Sequence, residues 1–121
     1  MTTEERKVIT AREVIACRFI LEDDNGRTRA ELRVTKDRPL LVLLDENGTP
    51  RAALGVDKDG PRLTLLNENG NPRFRLGVLE DSPILLLHDE NGKPLAMLGV
   101  FKGGPRLALL DENGKPLWTA P

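Results

Sequence analysis

The dipeptide Asn-Gly stands at Asn25-Gly26, Asn47-Gly48, Asn69-Gly70, Asn91-Gly92 and Asn113-Gly114, each copy 22 residues after the one before. A fixed period without slippage marks a repeat architecture. Asn-Gly between apolar runs is also the strongest local hairpin signal, because both central residues of a type I′ turn need positive φ. Midway between these copies stand Asp37-Arg38, Asp59-Gly60, Asp81-Ser82 and Gly103-Gly104, followed by Pro39, Pro61, Pro83 and Pro105. A two-residue turn candidate thus falls about every 11 residues, the spacing of an all-β chain.

The columns of the repeat fix a register. Ahead of Asn-Gly run Phe19, Leu41, Leu63, Leu85, Leu107 and Leu21, Leu43, Leu65, Leu87, Leu109; behind it run Leu32, Leu54, Leu76, Leu98 and Val34, Val56, Val78, Val100. A smaller column holds Ala30, Ala52, Phe74, Ala96 and Trp118. A two-residue turn at Asn47-Gly48 sets Leu43 opposite Ala52 and Leu41 opposite Leu54. A two-residue turn at Asp59-Gly60 sets Val56 opposite Leu63 and Leu54 opposite Leu65. All then share one face, since strand side chains alternate, and a loop one residue longer would break that face. The same register sets Arg29 opposite Glu46, Arg51 opposite Glu68, Arg73 opposite Glu90 and Asp57 opposite Arg62, pairs worth about 0.2–1 kcal/mol each.

The other face is mixed: Leu40, Val42, Leu44, Ala53 and Gly55 in one repeat, Arg62, Thr64, Leu66, Arg73 and Arg75 in the next, then Ile84, Leu86, His88, Leu95 and Met97. Strands such as 40–44 and 84–87 are therefore apolar on both sides, and a single-layer meander would expose large patches that monomers seldom carry. The expected cover is another copy of the chain. The expected interface is the constant face: Leu41, Leu43, Leu54, Val56, Leu63, Leu65, Leu76, Val78, Leu85, Leu87, Leu98 and Val100.

Composition agrees with a shared core. Of the 121 residues 39% are hydrophobic but only 3% aromatic, with no Tyr, so a core must come from Leu, Val and Ala. Eighteen basic residues against nineteen acidic give a net charge of −1, which offers no electrostatic footprint for nucleic acid or an anionic membrane. No run reaches the roughly 18 apolar residues of a membrane helix. The opening Met1-Thr2-Thr3-Glu4-Glu5-Arg6-Lys7 lacks the apolar stretch of a secretory signal, which makes the cytoplasm the default location. A single cysteine, Cys17, excludes an internal disulfide framework.

Residues 1–17 lack the turn dipeptide where one is due and read as an N-terminal cap or arm. Thr2 with Glu5 forms a possible capping box, Thr3–Arg12 reads as helix or strand, and a strand is expected from about Val14. The repeat domain spans 18–121: repeats 18–39, 40–61, 62–83 and 84–105, and a partial copy 106–121. Trp118, in a core column, is expected to plug the end of the core. Gly55, Gly77 and Gly99 sit mid-strand in Leu-Gly-Val. A strand glycine marks a bulge or a close backbone approach, here an expected groove for a neighbouring chain.

Catalytic and cofactor signals are missing. His88 is the only histidine and has no cysteine partner for a metal, unless three copies met on an axis. The Asp-Glu-Asn-Gly turns resemble a fragment of a calcium loop without its ligand spacing, and turn geometry alone explains them. Neighbouring carboxylates such as Asp23-Asp24 lack the opposed, buried placement of an acid–base pair. Ser82 is the only serine, and no glycine-rich phosphate loop opens a helix. Phe19, Phe74, Phe101 and Trp118 are too few to stack a nucleic-acid strand. No enzyme, cofactor or metal is expected.

The run Leu-Leu-His-Asp-Glu-Asn-Gly-Lys-Pro-Leu-Ala-Met-Leu-Gly-Val at 86–100 resembles a 22-residue tandem repeat of uncharacterised bacterial β proteins, across 18–121. No function comes with that resemblance. Ile9-Thr10-Ala11 and Val14-Ile15-Ala16 resemble the entry into trimeric β-structured fibres and spikes.

The reading is an all-β chain of tandem 22-residue hairpins forming an antiparallel meander, with three copies closing into a homotrimeric β-prism around the constant face. The alternatives are an up-and-down barrel carrying a small ligand and a parallel β-solenoid. The expected function is a self-assembling scaffold, spike or fibre subunit. The rival is a small-ligand or carbohydrate-binding module, with its ligand near Arg73, Arg75, His88 and Met97.

Overall fold

Each apolar run between turn residues forms a strand, and each strand pairs with the next. The computed structural model describes residues 7–121 and places ten strands in one sheet: β1 (Arg18–Glu22), β2 (Thr28–Thr35), β3 (Arg38–Leu44), β4 (Pro50–Asp57), β5 (Gly60–Leu66), β6 (Pro72–Leu79), β7 (Ser82–His88), β8 (Pro94–Phe101), β9 (Gly104–Leu110) and β10 (Pro116–Ala120). The order across the sheet is the order along the chain, and every ladder is antiparallel. No helix occurs among the described residues.

Both alternative architectures are corrected by this topology. A barrel needs β1 beside β10, and here they are opposite edges of an open sheet. A parallel solenoid needs parallel ladders, and none is present among the described residues. The first strand begins at Arg18 rather than near Val14, and residues 7–16 are neither helix nor strand. The Thr2–Glu5 capping box lies outside the described residues.

The Asn-Gly turns are not two-residue type I′ turns. Gly48 N–H donates to the Asp45 carbonyl at 3.0 Å and Asp45 N–H donates to the Thr49 carbonyl at 2.9 Å, which closes a three-residue loop, Glu46-Asn47-Gly48. Only Gly48, at φ +82°, takes positive φ in that loop. This is a type I turn ending in a left-handed glycine. Such a loop should displace the register by one, but a bulge restores it. Leu44 pairs with Pro50, Arg51 is the extra residue, and Leu43 pairs with Ala52 and Leu41 with Leu54 as the sequence implied. The same bulge follows the other four Asn-Gly loops. A bulge re-aims its residue: Arg29, Arg51 and Arg73 turn away from Glu46, Glu68 and Glu90, and their Nε atoms donate to the carbonyls of Leu44, Leu66 and His88 at 2.9–3.0 Å.

The intervening turns also sit one residue earlier than expected. Asp57 pairs with Gly60, Val56 with Pro61 and Leu54 with Leu63, so the turn is Lys58-Asp59 and not Asp59-Gly60. The pairing slides by two, which keeps the same face inward or outward. Where the next residue is Arg38 or Ser82, both turn residues take positive φ: Lys36 and Asp37, Glu80 and Asp81. Where it is glycine, that glycine takes it instead, at +126° for Gly60 and +115° for Gly104. Asp57 meets Arg62 on the diagonal rather than directly opposite, 2.6 Å from its Nη2.

Each strand contacts only its neighbours in sequence, two for β2–β9 and one for β1 and β10. The chain therefore has one layer and no enclosed core: among the described residues the buried apolar side chains are Ala30 and Val42, and none is below 2% exposed.

Candidate functional site: the uncovered apolar face

The twelve expected interface residues lie on one side of the sheet because they alternate along strands and pair across them with one another or with Ala, Phe and Pro of the same face. Leu41 faces Leu54, Leu54 faces Leu63, Leu63 faces Leu76, Leu76 faces Leu85 and Leu85 faces Leu98. Val56, Val78 and Val100 face Pro61, Pro83 and Pro105. This leucine row runs across the sheet partly bare: Leu41 is 36% exposed, Leu76 45% and Leu54 and Leu98 49%, with Leu63 and Leu85 more covered. Trp118, expected to plug a core end, pairs with Leu109 on this face and is itself 51% exposed.

The mixed face is the more covered one. Val42 is 8% exposed and His88 7%. Glu31, also buried, is held by the guanidinium groups of Arg18 and Arg33, the latter at 2.9 Å. In the repeat, Glu31 and Arg33 stand where the second copy has Ala53 and Gly55. Their spacing of two on one strand face was the available signal that they form a pair. A depression of 330 Å³ is lined by Arg33, Arg38, Leu40, Gly55, Arg62 and Thr64 among others. It spans β2 to β5, and the Arg73, Arg75, His88 and Met97 group favoured for a ligand lies on β6 to β8, starting on the adjoining strand, where Arg75 is the cross-strand partner of Thr64.

His88 is buried with its Nδ1 unpartnered, and the Nε of Arg75 is likewise buried without a partner. Burial, then the Arg75 guanidinium, hold the imidazole below its ordinary pKa of 6.5. The neutral ring is thus the favoured form on this face.

The glycine stripe has a close neighbour inside the chain. A Cβ on Gly77 would stand 2.9 Å from the carbonyl oxygen of Pro61, and one on Gly55 3.2 Å from that of Pro39. The close approach is by the preceding strand.

The acidic turns spend their oxygens on the backbone. Asp45 Oδ1 accepts the N–H groups of Asn47 and Thr49 at 2.9 and 3.0 Å, and Asp23, Asp89 and Asp111 repeat the pattern. Asn67 does the same with a neutral amide, so the motif needs an oxygen and not a charge. Among the described residues no group of three or more His, Cys, Asp or Glu is placed to hold a metal ion. Cys17 is exposed, and no described helix is long and apolar enough to cross a membrane. No protein-family model matches this chain, and no curated protein matches it.

Proposed function

We propose that this chain is a non-enzymatic structural subunit that assembles with copies of itself through the constant apolar face, as a scaffold, spike or fibre component. One observation carries the reading. The chain exposes 9684 Å², whereas a folded protein of 13.4 kDa exposes about 6,500 Å². The excess, about 3,200 Å², is the size of an obligate interface; the exposed segment 7–17 supplies one part of it and the leucine row of the sheet another. In this proposal each 22-residue unit of sequence contributes one hairpin, and three copies pack their leucine rows around a common axis as a β-prism. The resemblance to bacterial tandem-repeat proteins belongs to the same proposal.

Light scattering on the eluate of a sizing column, with electron microscopy of that fraction, tests it. A stable trimer, or a filament, supports the scaffold. A clean monomer overturns it and favours the second reading, a module binding a small anionic or carbohydrate ligand in the arginine-lined depression. That reading draws on Arg33, Arg38 and Arg62, which frame the depression.

A further inference from the structure

The two edges of the sheet differ in kind. The outer side of β10 is the side by which β2, β4, β6 and β8 pair with the strand that follows each. The outer side of β1 is the side by which β3, β5, β7 and β9 receive that pairing. Each edge strand has one hydrogen-bonded neighbour, and no described residue is laddered to its outer side.

We infer that β10 of one copy pairs antiparallel with β1 of the next, in the register already used inside the chain. This rests on the self-assembling reading but not on the trimeric prism. The internal register is constant: Ala52 pairs with Leu65, Phe74 with Leu87 and Ala96 with Leu109. Advanced by one period, it sets Trp118 against Leu21, Thr119 against Ile20 and Ala120 against Phe19 of the next copy.

Three observations converge on that contact. First, apolar exposure rises at the edges. Leu21 is 65% exposed where its column mates Leu43, Leu65, Leu87 and Leu109 lie at 40–47%, and Ile20 is 42% exposed where Val42 is 8%. Second, the guards against pairing stand only at the strand ends, where Arg18 and Glu22 bound β1 and Pro116 and Pro121 bound β10. Both strands lack an inward charge between their end residues, Phe19-Ile20-Leu21 and Leu117-Trp118-Thr119; natural edges commonly carry Lys or Pro there. Third, a turn-to-turn bond recurs. Arg27 donates to the Glu46 carbonyl at 3.2 Å, Asn71 to that of Glu90 at 3.1 Å and Lys93 to that of Glu112 at 3.2 Å. The next donor is Lys115, and one period on its acceptor is the carbonyl of Asp24 in the next copy. Such a head-to-tail contact closes as a ring or grows as a filament.

Disulfide trapping tests the register. The chain carries Cys17→Ser with Ile20→Cys and Thr119→Cys, and is oxidised mildly and run without reductant. A second in-register pair, Leu21→Cys with Trp118→Cys, guards against a variant that does not fold. A pair on opposite faces, Leu21→Cys with Thr119→Cys, is the control. The expected result is a covalent ladder or a single closed ring from either in-register pair, at least several-fold above the control, and reversed by reductant. Equal trapping in the control, no trapping in either in-register pair, or a disulfide within one chain overturns the inference. Wild-type mass keeps the two readings apart. An oligomer without trapping removes the edge contact alone, and a monomer removes the scaffold itself.

Discussion

The Oδ1 atom of Asp45 accepts the N–H of Thr49 at 3.0 Å, four residues on, and the N–H of Asn47 at 2.9 Å. One side-chain oxygen thus holds the loop that sets the register of β3 against β4. Asp45→Asn keeps that oxygen, as Asn67 shows, but loses the charge that Arg51 faces at 3.6 Å, and should lower the thermal midpoint by less than Asp45→Ala. Asp45→Ala removes the oxygen as well and should lower the midpoint further. Thermal unfolding followed by circular dichroism separates them, and equal midpoints for the two would refute the role of the oxygen.

Stability should fall in two steps on acidification. His88 has its folded pKa below the ordinary 6.5, so below that pH the unfolded chain takes up a proton that the folded chain resists. Asp23, Asp45, Asp57 and Asp89 are held below 3.8, first by backbone N–H groups of Arg27, Thr49, Asp59 and Lys93. Their contribution is full above 3.8 and is lost as pH falls through their lower folded values. His88→Leu should remove the upper step only. It also removes a buried unpartnered nitrogen at a position where Leu44, Leu66 and Leu110 stand in other repeats, a gain of roughly 1 kcal/mol at neutral pH. Urea midpoints measured from pH 3 to pH 7.5 check both statements.

Gly60 should be the least replaceable glycine. Its φ is +126°, and an added Cβ would stand 2.0 Å from the carbonyl oxygen of Val78. Gly60→Ala should cost on the order of 2 kcal/mol or more. Gly103→Ala is the control: its φ is not positive, and the nearest atom to its Cβ is the Arg106 guanidinium at 3.9 Å. Gly103→Ala should be neutral or slightly stabilising. Chemical denaturation of the two variants gives the comparison.

Leu54→Glu and Leu76→Glu address the proposed interface. Both leucines are nearly half exposed in the single chain, so in a monomer each change should stay within about 0.5 kcal/mol. Buried between copies, an unpaired carboxylate is costly, and the double variant should lose the assembled species in light scattering. An unchanged mass would place the contact elsewhere.

The strand order, the antiparallel pairing and the shared face of the leucine columns were legible because they depend on a period of two and a turn about every 11 residues. The turn chemistry was not. Asn47-Gly48 fits a two-residue turn as well as a three-residue loop with a compensating bulge. The choice falls to Asp45, whose side chain binds the loop amides. The arginines at 29, 51 and 73 were misplaced for the same reason, since each is the bulge residue or its equivalent. The Glu31 cluster went unread because a column comparison scores each position alone, whereas Arg18, Glu31 and Arg33 compensate one another across two strands.

The neighbour-only contacts of the meander have a mechanical consequence. Pulled apart at β1 and β10, the sheet carries its load across the strands, so the ladders are strained in series and the weakest opens first. No contact between distant strands clamps the rest. A single chain would pay out strand by strand at low force.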